Sequence, residues 1–158
     1  MNNTTKIALY AGSFDPFTNG HLDILRQASE IFDKIIIGVT VNTEKQGFIP
    51  IEQRVKLIKD SVKNIKNTEV VSYKGLTVDY ANKNNVCALI RGVRNSIDFE
   101  YESSIAQTNF SINSDIKTIL FIPKHENSFI SSTIVRELIK NNADISNFVP
   151  KPIAEYFH

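Results

Sequence analysis

Tyr10-Ala11-Gly12-Ser13-Phe14-Asp15-Pro16-Phe17-Thr18-Asn19-Gly20-His21 follows an apolar run, Lys6-Ile7-Ala8-Leu9, and precedes a stretch whose Leu22, Leu25, Ala28 and Phe32 share one helical face. A strand, a turn-rich loop and a helix start therefore meet at one place. Gly12 and Gly20 keep side chains clear of an incoming ligand, and Pro16 restrains the loop between them. Ser13, Thr18, Asn19 and His21 bring hydroxyl, amide and imidazole groups to the positive end of the helix, where free backbone N–H groups suit phosphate. Each residue also has a plainer reading. Ser13 ends a strand, Asp15-Pro16 makes a turn, Thr18 and Asn19 cap a helix, and His21 is a surface histidine. Their coincidence at one strand–helix junction favours the phosphate site.

Outward from this junction, short apolar runs rich in β-branched residues recur at 7–11, 34–41, 69–73, 88–90 and 118–122. Their continuous apolar character suits a sheet covered on both faces. Helical patterns lie between them. Val55, Ile58, Val62 and Ile65 share a face, 76–84 forms a shorter pattern, 97–112 a longer one, and 131–141 repeats it with Ile134, Val135, Leu138 and Ile139. Residues 152–157 add a last short helix. Alternating strand and helix with right-handed crossovers predicts a five-stranded parallel sheet with helices on both faces, a single Rossmann-like α/β domain over residues 1–158. Ligands of such sheets bind beyond the carboxyl ends of the strands, where the strand order reverses. Every unusual polar segment of this chain follows a strand end.

Bulk properties bound what else the chain can be. Its 158 residues suffice for one domain with a real core, and 42% apolar with 22% charged residues is ordinary for a soluble globular protein. A net charge of +1 gives no basic field for nucleic acid, so any anion site comes from local clustering. Cys87, the single cysteine, forms no internal disulfide, no Cys/His metal-ligand spacing appears, and the thiol reads as an inert core residue. Residues 1–6 lack the apolar core of a secretion signal, and no run is long enough to span a membrane. The expectation is a cytoplasmic protein that binds neither membrane nor nucleic acid.

Three further segments could carry chemistry. Leu89-Ile90-Arg91-Gly92-Val93-Arg94 ends a strand with two arginines straddling a glycine, and arginine forks match phosphate oxygens. The alternative pairs them with the acids of Asp98-Phe99-Glu100-Tyr101-Glu102, which is compatible with phosphate binding. Phe129-Ile130-Ser131-Ser132-Thr133 precedes a helix with more hydroxyls than one cap needs, and Arg136 in its first turn either reaches the same anion or pairs with Glu137 or Glu126. Lys45, on the loop after the second strand, is either solvated or a mobile ammonium over a phosphate. Lys124-His125-Glu126 reads as an exposed loop.

These motifs, in this order and in a chain this short, resemble the nucleotidylyltransferase superfamily and, within it, the bacterial phosphopantetheine adenylyltransferase family. The resemblance rests on residues 11–21, 75–81, 89–94, 98–102 and 128–133 and runs from Lys6 to about Pro150. Thr18-Asn19-Gly20-His21 has threonine where the superfamily signature usually begins with histidine, which is this family's form and separates it from pyridine-nucleotide adenylyltransferases. Ser13 stands where the family more often has threonine, and Asn127 where an aromatic residue is common. The resemblance implies transfer of AMP from ATP to 4′-phosphopantetheine, with Mg²⁺ accompanying the nucleotide. It implies that Ser13 and His21 meet the phosphates at the reacting centre and that Lys45 and Arg91 hold the acceptor phosphate. Thr77 would line the pantetheine arm. Phe14, Gly92, Val93, Arg94 and Glu102 would bind ATP, together with Asn127, Ser128, Phe129, Ile130, Ser131, Ser132 and Thr133. The chain itself would supply no metal site. A homohexamer inhibited by CoA is a further expectation of the resemblance alone.

Overall fold

The computed structural model describes residues 4–42, 44 and 47–158. Lys45, expected at the phosphate site, lies outside the described residues. Five strands form one parallel sheet in the order β3-β2-β1-β4-β5: β1 (Ile7–Gly12), β2 (Lys34–Thr40), β3 (Thr68–Tyr73), β4 (Ala88–Gly92) and β5 (Lys117–Phe121). The helices between them are α1 (Asn19–Ser29), α2 (Ile51–Val62), α3 (Thr77–Lys83) and α4 (Ser96–Ile112), followed by α5 (Ser132–Lys140) and α6 (Lys151–Phe157). Chain order reverses at β1, whose two neighbours are β2 and β4. Gly12, at the carboxyl end of β1, and Arg91-Gly92, at the end of β4, consequently open onto the same crevice.

Two apolar clusters cover the sheet, as alternation along β1 dictates. Ala8, Tyr10, Ile35 and Ile37 point to the side of α1, α2 and α6, while Leu9, Ala11 and Ile36 point to α3. The α1 stripe of Leu22, Leu25 and Ala28 is buried as its spacing predicts, and Phe32, expected on the same face, is buried just beyond the helix end at Ser29. The expected stripe on α5 is only partly so, because Val135 is buried but Ile134 is exposed.

Helix α4 departs further from an amphipathic element. Its one buried residue is Glu102, while Ile97, Phe99, Tyr101, Phe110 and Ile112 are all exposed. Cys87 corrects the expectation of a core thiol. It precedes β4 at the opposite edge from the crevice and is exposed, with Sγ 3.3 Å from the Ile7 carbonyl. Among the described residues no helix is long and apolar enough to cross a membrane.

Candidate active site

The loop between β1 and α1 is shaped by what surrounds it. Phe14 adopts φ 47°, the left-handed region, with its ring buried against Tyr10 and Phe17 at edge-on angles. The Phe14 ring would lie 3.1 Å from a Cβ on Gly12, so that glycine accommodates the ring as well as any ligand.

Thr18 then caps α1 through a capping box. Its Oγ1 accepts from the His21 N–H at 3.3 Å, and its own N–H donates to His21 Nδ1 at 3.0 Å. An Nδ1 that accepts a backbone N–H carries no proton, so a neutral imidazole bears its hydrogen on Nε2. Burial, with the cations Arg94 and Arg91 contributing, lowers the His21 pKa from its ordinary value to about 4. The imidazole is thus an uncharged donor at neutral pH, oriented by the cap of its own helix.

Arg91 forms a two-pronged pair with Glu102, Nε to Oε2 at 2.6 Å and Nη2 to Oε1 at 2.8 Å, while Nη1 donates to the Ala11 carbonyl at 3.0 Å. Arg94 pairs with Asp98 at 2.9 Å and reaches the Ile130 carbonyl at 3.3 Å. Both arginines therefore have the acid partners that the 98–102 segment offered. Gly92 is glycine because α1 passes close by, a Cβ there falling 2.4 Å from Ile24 Cδ1.

The far wall comes from the 3-10 turn His125–Asn127 and the start of α5. Ser131, Ser132 and Thr133 do separate work. Ser131 Oγ accepts from the Ile134 N–H, Ser132 Oγ donates to the Pro16 carbonyl at 2.8 Å, and Thr133 Oγ1 accepts from Arg136 at 3.1 Å. Arg136 pairs with neither Glu126 nor Glu137. Its Nη1 crosses to the Asp15 carbonyl at 2.8 Å, which ties α5 to the β1–α1 loop.

These walls enclose a cavity of about 300 Å³ that takes in Ser13, Phe14, His21, Arg91, Gly92 and Arg94, and beside them Glu102, Asn127, Ile130, Ser131 and Ser132. Four residues expected to bind the nucleotide lie outside its lining. Val93 is buried directly after β4, with its N–H on the Phe121 carbonyl, Ser128 bonds back to the His125 carbonyl, Phe129 packs edge-on to Phe148, and Thr133 serves Arg136. Thr77 lines a second cavity of about 180 Å³ between α3 and α4, where its Oγ1 meets the Tyr73 hydroxyl at 2.8 Å. Ala11 and Arg91 belong to both cavities.

Two buried charges went unnoticed in the sequence. Asp23 on α1 accepts from the Lys124 N–H at 2.6 Å and from Asn127 Nδ2 at 3.4 Å, fixing the turn after β5. Arg54 on α2 is buried beside Asp15, which itself accepts from the N–H groups of Phe48 and Ile49. The available signal for Arg54 was its spacing, since it occupies a stripe position with Ile51, Val55 and Ile58.

A cytidylyltransferase-like family model matches residues 9–138. The chain is 46% identical over 153 residues to a phosphopantetheine adenylyltransferase of Lachnoclostridium phytofermentans, covering 97% of this chain and 94% of that one. The chain belongs to the phosphopantetheine adenylyltransferase family. A family member from Streptococcus pneumoniae is likewise 46% identical over 151 residues, 95% of this chain and 93% of its own. The fold extends beyond the family. A putative nicotinate-nucleotide adenylyltransferase from Vibrio parahaemolyticus superposes with a TM-score of 0.74 at 17% identity, covering 98% of this chain and 99% of that chain.

Proposed function

We infer that the protein transfers AMP from ATP to 4′-phosphopantetheine, giving dephospho-CoA and pyrophosphate, within one nucleotidylyltransferase domain spanning residues 1–158. The observation that carries the reading is the meeting of two cavities at Arg91, in a family whose name states this activity. A polar crevice rich in phosphate donors suits the nucleotide. The second cavity, with Leu76, Val78, Leu89, Ile105 and Ile112 on its walls and Thr77 and Asn109 among them, suits a long arm of methylene stretches joined by amides. The arm's terminal phosphate then falls at Arg91. Three of the five guanidinium N–H groups are used by Glu102 and Ala11, leaving two for that phosphate.

An acceptor phosphate oxygen attacks the α-phosphorus of ATP, and the bond from that phosphorus to the bridging oxygen breaks as pyrophosphate leaves. The nucleophile is already an anion, so no base is required and no covalent intermediate forms. Holding two polyanions in line is the main task, and positioning of this kind lowers barriers by roughly 7–11 kcal/mol. His21 Nε2–H donates to the charge that builds on the phosphate oxygens, with Ser13 at the mouth of the same crevice and Lys45 and Arg91 on the acceptor. Gly92, Arg94, Asn127 and Ile130 then face the nucleotide.

Among the described residues no group of three or more His, Cys, Asp or Glu side chains could hold a metal ion. Asp98 and Glu102, the crevice carboxylates, are both paired with arginine. Mg²⁺ would accompany the nucleotide, as the family resemblance implies, and would offset phosphate charge when bound.

The test is pyrophosphate release from ATP and Mg²⁺ with and without 4′-phosphopantetheine, beside nicotinate mononucleotide as a competing acceptor. Release that requires 4′-phosphopantetheine is expected. Release only with the other acceptor would transfer the reading to a different adenylyltransferase. Self-association belongs to the same proposal, because α4 and the edge strand β5, which pack on each other, both expose apolar side chains. Cytoplasmic placement and feedback by CoA complete it.

A further inference from the structure

Arg54 touches neither cavity, yet it holds the loop that delivers Ser13 and Phe14. Its Nε donates to the Ile49 carbonyl at 2.8 Å and its Nη1 to the Ser13 carbonyl at 2.8 Å, and its Nε lies 3.7 Å from Asp15 Oδ1. Both Asp15 carboxylate oxygens are occupied by main chain, Oδ1 by the Ile49 N–H at 2.8 Å and Oδ2 by the Phe48 N–H at 2.6 Å. A buried cation and a buried anion thus join three segments: the β1–α1 loop, the chain just beyond Lys45, and α2. No room remains around them, since a Cβ on Gly47 would sit 2.2 Å from Arg54 Nη2 and 3.0 Å from Asp15 Oδ2.

Peptide geometry gives this anchor a consequence at the reacting centre. The carbonyl of Ser13 and the N–H of Phe14 belong to one planar trans unit, so they point in opposite directions. A carbonyl held by Arg54, which is outside the crevice, turns the Phe14 N–H the other way. Phe14 lines the crevice, and its N–H has no partner among the described residues. Accepting a hydrogen bond from the guanidinium also polarises the peptide and strengthens that N–H as a donor.

We propose that Arg54 is a positioning residue: through the Ser13 carbonyl it aims the Phe14 N–H at a nucleotide phosphate, and through Asp15 it fixes the root of the loop bearing Lys45. The proposal rests on the crevice being the nucleotide site. Arg54→Lys keeps a buried cation but loses the fork that reaches Ser13 and Ile49 together.

The experiment follows backbone amide NMR signals of the wild type and Arg54→Lys during titration with a non-hydrolysable ATP analogue and Mg²⁺. Thermal unfolding and steady-state pyrophosphate release are measured on the same samples. In the wild type the Phe14 amide shifts downfield on binding, and in Arg54→Lys that shift falls below half. The amides of Ser131 and Ser132 move alike in both proteins. Turnover of the folded variant drops about 100-fold with a far smaller change in KM for ATP. Equal Phe14 shifts, or an unmoved Phe14 amide in the wild type, would overturn the proposal, as would a folded variant with unchanged turnover. If Arg54→Lys does not fold, Gly47→Ala presses on the same guanidinium, and the same outcomes decide. The amide readout needs no acceptor, so a wrong acceptor assignment would show in pyrophosphate release and leave the Phe14 result intact.

Discussion

At the scale of single residues, His21 performs two tasks that can be separated by substitution. It completes the cap of α1 and offers an uncharged N–H to the crevice. His21→Ala loses both, and a loss of about 100–1,000-fold in turnover with a smaller change in ATP affinity is the expected kinetic signature. His21→Gln retains a capping-box side chain and a neutral donor, so its unfolding midpoint in urea should stay closer to the wild type than that of His21→Ala. A His21→Ala protein whose ATP affinity falls as far as its turnover would contradict a transition-state role. The depressed pKa of about 4 also sets a sign for stability. Between that value and the ordinary 6.5 the unfolded chain binds a proton at this position that the folded chain refuses. The contribution is therefore complete above about pH 6.5 and is lost as pH falls toward 4. Urea titrations at pH 7.5 and 5 should show the wild type losing more stability on acidification than His21→Gln. Parallel losses would mean that His21 is not held neutral.

At the scale of elements, the strands were legible because unbroken β-branched runs have few other interpretations. Their observed limits shift from the expected ones by no more than two residues. The crevice-lining loops were legible because they follow the carboxyl ends of strands, although several of their glycines, hydroxyls and arginines also do packing and capping work. Buried charge was not. Arg54's stripe position hints at burial and Asp23 gives no such hint, but neither role can be read until the partners are known, Ile49 and Ser13 for one, Lys124 for the other. Cys87 failed differently. Apolar character suggested the interior, but at the strand start, where it was expected, the residue is exposed. Within the sheet, Gly38 is set by packing alone. A Cβ there would lie 2.6 Å from Tyr73 Cε1 and 2.9 Å from Leu9 Cδ1. Gly38→Ala should cost about 1–3 kcal/mol in urea unfolding. Tyr73 also holds Thr77, so displacement of its ring should raise KM for the phosphopantetheine acceptor more than KM for ATP. Unchanged stability would show that the ring moves aside freely.

At the scale of the whole molecule, α4 and β5 form the side least occupied by the chain's own packing. Phe99 is 53% exposed and outside both cavities, which makes it a clean probe of that face. Sedimentation should give an oligomer for the wild type, and Phe99→Glu should move its mass toward the monomer. A wild-type monomer at micromolar concentration would remove the proposed self-association. The order of the sheet has another outcome. β1 pairs with β2 through neighbouring chain, but its other edge waits for β4, with Ala8 opposite Ala88. During synthesis, then, the loop bearing Ser13 and His21 emerges long before Arg91 exists to stand beside it. Until the ribosome passes β4, the nascent chain carries half of the crevice and β1 as an open strand edge. A stalled or truncated product ending short of Ala88 is thus both inert and adhesive, a natural client for chaperones and proteases.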